Sequence, residues 1–418
     1  MKVMFLLGMY HPKYSANGLC CKNVIDECIK RGWDVSCVVN SYNGNMKPYE
    51  LEGAKIYPIK PRLTYRITEW CDLHDSSKCS KLLRKLAGFL NKIKLLIRSY
   101  SWPYISPSYT KAFYRKAREL ELKENFDVVV AAYTPIDSLY AGYKLKCEFK
   151  TLKFVAYYLD ALAGGWGPVK WSEKKKDQRL RKWELLIAEK ADAIFSMESS
   201  RVYHTANPLP SNFNKKRYYL DVPMMLPFVQ AVKTDKKIEK YALFAGDISY
   251  PRRNPIPLLE AFTSSCINDD LQLVFVGPCN NPAIFTPYIE KTNGRIRLLG
   301  KKTHSETLAL EQEATFLVNI GSENPYTIPC KIFEYMRFKK PIISTYAIDN
   351  EPSMMCLKKY GYAHFIDERK PVDFNQEYLK SFIEMNEVVD IPDDFCQQVF
   401  YKNTPKAFAD TLEKIVEE

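Results

Sequence analysis

At 418 residues the chain is too long for one ordinary hydrophobic core and suits two domains of about 200 residues each. Its composition, 46% hydrophobic and 26% charged, excludes a disordered chain, and no apolar run approaches the ~18–20 residues that span a bilayer. The net charge of +12 is concentrated, because residues 76–118 contain eleven Lys and Arg and no Asp or Glu.

The first half of the chain alternates predicted strands and helices. A strand over 2–8 precedes a helix over 17–32, with Asn17 as the predicted N-cap and Gly32 closing the helix. The strand is followed by no small-residue cleavage site, so we expect no signal peptide. Further strands are predicted at 33–40, 126–132, 152–159 and 191–197, and helices at 134–147, 172–190 and 198–206. This alternation indicates βαβ units and a parallel sheet.

The basic segment, residues 78–118, lies between the second and third of these strands. Within it, 78–104 spaces Leu, Ile and Phe at helical intervals with Lys and Arg between them, which predicts a basic amphipathic helix. Such a helix suits an anionic membrane surface. An ordinary helix packed on the N-terminal domain, with a cationic outer face, explains the pattern equally well. Nucleic acid is not expected as a partner, because the aromatic RNA-binding motifs are missing.

The second half begins after a proline- and lysine-rich stretch that we assign as a linker, 223–240. Strands are then predicted at 241–246, 271–277, 296–300, 315–320, 340–345 and 362–366, with helices near 255–266, 304–313, 329–339 and 351–360. The predicted fold is α/β, with two Rossmann-like doubly wound domains facing across a cleft. They cover 1–222 and 241–400, and a C-terminal helix at 401–418 is free to return to the N-terminal domain.

Cysteine, histidine and glycine patterns narrow the function classes. The 12 cysteines show no C-x-x-C spacing, which favours reduced thiols in the cytoplasm over a structural zinc site. The five histidines are dispersed and there is no Asp-x-Asp, so the sequence requires no metal. The fingerprints of dinucleotide-binding and P-loop proteins, G-x-G-x-x-G and G-x-x-x-x-G-K-[ST], are absent.

The stretch TFLVNIGSENPYTIPCKIFEYMRFKKPIIST, residues 315–345, contains the first candidate binding residues. Pro329 is predicted to begin a helix whose free N–H groups suit a phosphate. The carboxylate of Glu334 can accept two hydrogen bonds, which fits the vicinal diol of a ribose, and Lys331 can meet phosphate or sugar. The simpler alternative is a solvated helix residue, Glu334, with Lys331 as its surface neighbour.

A second candidate is FAGDISYPRRNP, residues 244–255, where a strand ends at Gly246. Arg252 and Arg253 follow in the loop, and guanidinium groups match phosphate oxygens in a fork geometry. A pair of solvated loop arginines is the alternative. Gly277 ends a third strand, where the chain could contact a nucleotide base.

Several of these segments resemble the GT-B glycosyltransferases of the "glycosyl transferases group 1" type, the bacterial polysaccharide-biosynthesis glycosyltransferases. NPYTIPCKIFEYMRFKKPII is similar to their nucleotide-sugar signature, and YALFAGDISYPRRNPIPLLEAF resembles their diphosphate loop. MKVMFLLGMYHPKYSANGLCCKNVIDECIKRGWDVSCVV is similar to their opening strand–loop–helix–strand. AAYTPIDSLYAGYKLK with FVAYYLDALAG looks like the middle of their N-terminal domain. The resemblance covers most of 1–40, 125–200 and 240–345.

The resemblance implies roles for individual residues. Glu334 would be the ribose ligand, and Arg252 or Arg253 would contact the diphosphate together with Lys331. Residues His11, Asn17 and Gly18, in the loop after the first strand, would lie on the acceptor side. Asp160 matches an aspartate that faces the cleft. Gly246 and Gly277 would lie at the nucleotide.

The sequence departs from the family pattern in three ways. The lysine that usually contacts the diphosphate after the arginine loop has no clear counterpart, and Arg253 could stand in for it. Many members carry Glu-x7-Glu, and the first glutamate of that pair contacts the donor sugar. Tyr326 stands at that position here, and Glu323 could substitute for it. Lys339 replaces the glycine that usually precedes Lys-Pro.

The resemblance implies an enzyme that moves a sugar from a nucleoside diphosphate donor, expected to be UDP-linked, to a saccharide or lipid-linked saccharide acceptor. The context would be surface polysaccharide synthesis, lipopolysaccharide or capsule, in the cytoplasm or at the inner face of the cell membrane. Transfer would retain configuration, with Arg252 and Arg253 stabilising the departing phosphate and Asp160 orienting the acceptor. If the enzyme inverts, Asp160 becomes the general base. A GT-B nucleotide-sugar 2-epimerase and a non-catalytic GT-B partner or saccharide-binding subunit remain as alternatives.

Overall fold

The structure is a computed structural model of the 418-residue chain. It describes residues 1–74, 77–97, 102–162, 168, 170–227, 240–264, 271–323, 325, 328–385, 391–392 and 394–418. Tyr326 and residues 228–239 of the predicted linker lie outside the described residues. The chain forms two compact units, the first comprising Met1–Pro223 and Pro405–Glu418, the second Met224–Thr404.

The first unit is built on a sheet that is parallel except for one pair of strands. Its strands are β1 (Lys2–Leu6), β2 (Asp34–Asn40), β3 (Tyr49–Leu51), β4 (Ala54–Ile59), β5 (Val128–Tyr133), β6 (Lys153–Tyr158), β7 (Ala193–Met197) and β8 (Arg217–Leu220). Among the described residues their order is β3-β4-β2-β1-β5-β6-β7-β8, and only β3 and β4 pair antiparallel. The central strands are apolar and buried along their length, as is typical of parallel sheets covered on both faces.

Helices connect these strands and cover the sheet. They are α1 (Ala16–Lys30), α2 (Leu63–Leu73), α3 (Lys78–Ile97), α4 (Pro107–Glu124), α5 (Ile136–Glu148), α6 (Glu173–Lys190), α7 (Arg201–Ala206) and α8 (Ser211–Asn214). Of the amphipathic helix predicted over 78–104, α3 forms Lys78–Ile97, residues 98–101 lie outside the described residues, and residues 102–104 are not helical. Helix α3 packs against α2. Within the described part of the chain, no helix combines the length and the apolar character needed to cross a bilayer.

The N-terminus of α1 differs from the prediction. The prediction of Asn17 as N-cap was wrong, because Ser15 occupies that position and its side-chain oxygen accepts a hydrogen bond from the Gly18 N–H at 3.0 Å. Asn17 therefore lies inside the first turn, and its amide is available for a contact elsewhere. Gly18 is required at its position, since an added Cβ would lie 2.3 Å from the carbonyl oxygen of Met9.

The second unit is a smaller, fully parallel doubly wound sheet. Its strands are β9 (Tyr241–Ala245), β10 (Gln272–Val276), β11 (Ile296–Leu298), β12 (Phe316–Asn319), β13 (Ile342–Tyr346) and β14 (Ala363–Asp367), in the order β11-β10-β9-β12-β13-β14 within the described residues. Its helices are α9 (Ile256–Ser264), α10 (Thr286–Lys291), α11 (His304–Glu313), α12 (Lys331–Arg337), α13 (Pro352–Tyr360), α14 (Val372–Met385) and α15 (Phe395–Val399). Its core contains residues such as Phe244, Phe275 and Phe316.

The helix after β12 is shorter than predicted. The expectation that it begins at Pro329 was wrong, because α12 begins at Lys331 and has seven residues. The preceding residues form a tight turn, in which the N–H of Ile332 bonds to the carbonyl of Pro329 at 3.3 Å. Glu334 consequently lies in the first turn of α12.

The last helix, α16 (Pro405–Glu417), belongs to the first unit. Its Phe408 is 2% exposed and lies between Tyr157 and Phe195, with ring centroids 4.9 and 5.1 Å away. On the adjacent surface, Arg31, which follows α1, forms an ion pair with Asp410 at 2.6 Å. Because a buried aromatic ring dominates the local packing energy, Phe408 is the main anchor of this helix.

Candidate functional site

The candidate site of the second unit lies where strand order reverses. β9 has β10 and β11 on one side and β12, β13 and β14 on the other. The loops that follow β9 and β12 therefore leave neighbouring strands at the same carboxyl edge of the sheet. In open α/β sheets, ligands bind in the crevice at this switch point.

A tyrosine fixes α12 against the end of β9. The N–H of Ala245 donates a hydrogen bond of 2.8 Å to the hydroxyl of Tyr335, which is buried. Burial raises the pKa of Tyr335 well above its usual value, while Arg253 in the loop after β9 acts in the opposite direction. The arginine loop and the helix that carries Glu334 are therefore neighbours, as their order along the sheet requires.

Glu334 belongs to a buried cluster of two carboxyls and a lysine. The Nζ of Lys331 lies 2.6 Å from Oε1 of Glu334 and 2.7 Å from Oε1 of Glu311, on α11. Glu334 is 2% exposed and Glu311 is completely buried, whereas the Lys331 side chain is 29% exposed. Lys331 is therefore the part of the cluster that a ligand reaches first. Glu334 is not the solvated surface residue of the simpler interpretation.

The two carboxyls share one negative charge. Burial, followed by the neighbouring Glu334, raises the pKa of Glu311 to about 9, so Glu311 is protonated at neutral pH. Burial also opposes ionisation of Glu334, but Lys331 and the hydrogen bond from Glu311 outweigh it and lower the pKa of Glu334. The cluster is thus a neutral carboxyl, a carboxylate and an ammonium, which leaves no uncompensated charge inside the protein.

The loop after β9 holds one of the two arginines in place. Arg253 donates from Nη1 to the carbonyl oxygen of Asp247 at 3.2 Å, while Arg252 is exposed. Gly246 lies directly beside Arg253, since a Cβ at Gly246 would be 3.4 Å from Nη1. The structure therefore brings Gly246, Arg253 and the Tyr335 turn of α12 to one edge of the second unit.

Gly277 supports the same loop from β10. Its φ is +134°, and an added Cβ would lie 2.0 Å from the carbonyl oxygen of Gly246. The N–H of Gly246 bonds to the carbonyl of Val276 at 2.9 Å. Gly277 thus permits the close approach of the two backbones that shapes the arginine loop.

Glu323 lies apart from the carboxyl cluster. It is exposed in the loop after β12, and its charge contributes to raising the pKa of Glu368, for which burial is the larger cause. Within the described residues it makes no ion pair. Its expected role at the donor sugar stays a prediction.

In the first unit the structure joins two of the predicted residues directly. Asn17 Nδ2 donates to Oδ2 of Asp160, after β6, at 2.8 Å and to the carbonyl oxygen of Tyr133, at the end of β5, at 3.3 Å. Burial raises the pKa of Asp160, and the bond from Asn17 partly offsets that rise. Asn17, which was predicted to be the N-cap of α1, therefore holds the Asp160 carboxylate at the carboxyl edge of the first sheet.

His11 lines a pocket of about 240 Å³ at the ends of β1, β2 and β4. Its Nδ1 lies 3.2 Å from the hydroxyl of Tyr49. The polar members of this pocket include Lys13, Asp72 and Glu69, and neither Asn17 nor Asp160 lines it. His11 therefore belongs to a separate part of the same sheet edge.

Sequence reasoning missed Glu311 and Tyr335 as members of the site. Glu311 lies 20 residues before Lys331, in the polar run that ends helix α11, and no local pattern marks it as buried. Tyr335 lies inside the quoted nucleotide-sugar signature, next to Glu334. The signal that could have identified Tyr335 is its position in the helix that follows the buried strand β12.

Comparison with known proteins gives structural neighbours only. No protein-family profile and no curated protein sequence matches the chain. It is similar to sucrose-phosphate synthase from Thermosynechococcus elongatus, with 11% identity, 100% of this chain and 98% of that chain covered, and a TM-score of 0.64.

Two further neighbours have comparable likeness. Anabaena HepE in complex with UDP is 12% identical, with 99% of this chain and 100% of that chain covered and a TM-score of 0.59. A protein described as a putative UDP-N-acetylglucosamine 2-epimerase from Listeria monocytogenes is 12% identical, with coverage of 98% and 94% and a TM-score of 0.57. The chain has the two-domain α/β fold of GT-B proteins, and the predicted fold class is confirmed.

Proposed function

We propose that the protein is a glycosyltransferase that uses a nucleoside diphosphate sugar, with UDP as the nucleotide. The Lys331–Glu334–Glu311 cluster, at the switch point of the second sheet, carries this proposal. The full-length likeness to sucrose-phosphate synthase, and to HepE in complex with UDP, supports the class of ligand. The signature around Glu334 supports the same assignment.

The cluster suggests how the nucleotide enters. Lys331 is the accessible member, so the diphosphate would attract it and weaken its 2.6 Å contact with Glu334. The Glu334 carboxylate would then be available to accept hydrogen bonds from both hydroxyls of the ribose. Because Glu311 is protonated, the two carboxyl groups would together carry a single negative charge. Arg253 would contact the diphosphate from the loop after β9, and exposed Arg252 would join it.

The first unit would supply the acceptor side. Asp160, held by Asn17 at 2.8 Å, would orient the acceptor hydroxyl. With retention of configuration, the departing phosphate takes the acceptor proton and the arginines stabilise its charge. With inversion, Asp160 is the general base, a role favoured by its raised pKa. His11 and Gly18 lie at the same sheet edge and would contact the acceptor.

The acceptor would be a saccharide or a lipid-linked saccharide of a surface polysaccharide. Residues 78–104 of the basic segment would bring the enzyme to an anionic membrane surface. The exposed Leu82, Leu86 and Phe89 of α3 support this attachment, because apolar side chains among lysines and arginines suit the lipid interface. Vesicle co-sedimentation with phosphatidylglycerol, in low and high salt, tests it.

Titration calorimetry with UDP tests the nucleotide site. We expect Glu334→Ala to weaken UDP binding by about 1–3 kcal/mol, as for the loss of a charged hydrogen-bond partner. Glu290→Ala is the matched control, since Glu290 is an exposed glutamate of α10. Equal UDP affinity in both variants would contradict the assignment of Glu334.

A 2-epimerase is the second candidate function, favoured by the likeness to the Listeria monocytogenes protein. Incubation with UDP-N-acetylglucosamine followed by NMR separates the candidates. Inversion at carbon 2 without an acceptor indicates an epimerase, and release of UDP that depends on an acceptor indicates a transferase. Binding without either reaction indicates a non-catalytic GT-B subunit.

A further inference from the structure

An apolar groove lies beside the His11 pocket in the first unit. It encloses about 640 Å³, which is within the ~300–1,000 Å³ of small-molecule sites. Its apolar lining comprises Met46, Leu63, Ile67, Trp70, Leu73 and Leu83, from the loop after β2 and from helices α2 and α3. Leu63, Trp70 and Leu73 are more than a third exposed, so the groove presents unusual apolar surface to water.

The groove is continuous with the polar pocket. Ser41, Pro61 and Glu69 line both cavities, so the apolar groove leads to the carboxyl ends of β1, β2 and β4. In proteins built on a parallel sheet, ligands bind at that edge. One elongated ligand could therefore place an apolar part in the groove and a polar part beside His11 and Lys13.

Two cations complete the pattern. Lys60 and Arg66 line the groove and are exposed, and among the described residues neither forms an ion pair. By contrast, Lys13 and Arg84 are both paired with Asp72. Cations without partners beside an apolar groove complement a ligand that is anionic at one end and apolar along its length.

We propose that this groove binds the hydrocarbon chain of a lipid phosphate, the carrier of the acceptor, with Lys60 and Arg66 contacting its phosphate. The polar group on that phosphate would enter the His11 pocket. This inference rests on the proposed function, because it specifies the acceptor as a lipid-linked molecule and assigns its chain to one groove. Exposed Leu82, Leu86 and Phe89 of α3, which packs against α2, would extend apolar surface beside the groove.

Tryptophan quenching by dodecyl phosphate brominated on its chain tests the proposal. All six tryptophans lie between residues 33 and 183, and Trp70 lines the groove. We expect saturable quenching in the wild type that is lost in Trp70→Phe. Unlabelled dodecyl phosphate should compete and inorganic phosphate should not.

Matched variants separate the groove from general surface effects. Leu83→Arg, in the groove, should weaken binding by about tenfold or more, because the substitution places a charge in an apolar site. Leu122→Arg, on the exposed face of α4, should have no effect. The double variant Lys60→Ala, Arg66→Ala should weaken the binding of dodecyl phosphate and leave the binding of brominated dodecanol unchanged.

Parallel UDP titrations distinguish this proposal from the proposed function. Normal UDP binding without quenching of Trp70 would overturn the groove assignment alone. Quenching as expected with no UDP binding would support the groove and contradict the nucleotide site. A dimer in light scattering that Leu83→Arg converts to a monomer would identify a second copy as the occupant and overturn the proposal.

Discussion

Replacing Glu311 by glutamine removes one ionisable group from the carboxyl cluster and keeps its shape. The amide N–H₂ can donate to Glu334 as the protonated carboxyl does, and the amide oxygen can face Lys331. The folded pKa of Glu311 is raised to about 9, above the ~4.3 of an unfolded glutamate. Between those values the folded wild type holds a proton that the unfolded chain has released.

The sign of the pH dependence follows. The stabilising contribution of the protonated Glu311 is complete below the unfolded pKa and is lost as pH rises toward about 9. One proton of difference changes the free energy of unfolding by about 1.4 kcal/mol per pH unit. Glu311→Gln has no such proton. Relative to the wild type, its free energy of unfolding should therefore rise by about 4 kcal/mol between pH 5 and pH 8.

The assay must report on the second unit. All six tryptophans lie in the first unit, so their fluorescence does not follow it. Urea-dependent hydrogen exchange of peptides from α11 and α12, compared at equal pH, measures the local free energy of opening. Glu290→Gln makes the same substitution on the exposed surface of α10 and is the matched control. Parallel pH dependences for Glu311→Gln and the wild type would refute the shared-proton cluster.

Three further predictions concern packing and the first-unit carboxylate. Phe408→Ala should destabilise the first unit by about 3–5 kcal/mol, seen by tryptophan fluorescence in urea, with Val202→Ala, on the exposed surface of α7 in the same unit, as a near-neutral control. Gly277→Ala should weaken UDP binding and lower the melting temperature, because its Cβ would meet the Gly246 carbonyl, whereas Gly294→Ala, with open space around it, should cost only backbone strain of ~1 kcal/mol. Asn17→Ala should raise the pKa of Asp160 further, measured by carboxyl NMR, and an unchanged pKa would contradict the 2.8 Å bond.

The regular parts of both sheets could be predicted from the sequence. Strands such as β1, β5 and β9 are nearly continuous apolar runs, since both faces of a parallel sheet are covered. The β3–β4 hairpin was not predicted. Its turn uses Glu52 at φ +50° before Gly53 at φ +90°, and glutamate rarely occupies that conformation.

The candidate site could be predicted only where its residues follow strands. Arg253 and Glu334 could be predicted in this way, because parallel strands bring the loops that follow them to one edge of the sheet. Glu311 could not be found, since its burial depends on how α11 packs near α12. The Asn17–Asp160 bond joins residues 143 positions apart and depends on the N-cap of α1, which was predicted two residues too late.

The docking of α16 on the first unit has a consequence for biosynthesis. Residues 1–223 leave the ribosome long before Phe408, so the apolar ring cluster of Phe5, Tyr157 and Phe195 remains uncovered while the entire second unit is translated. Nascent chains with such exposed surface are aggregation-prone and depend on chaperones. The first unit therefore cannot complete its folding before the second unit is made, because α16 follows the whole second unit in the chain.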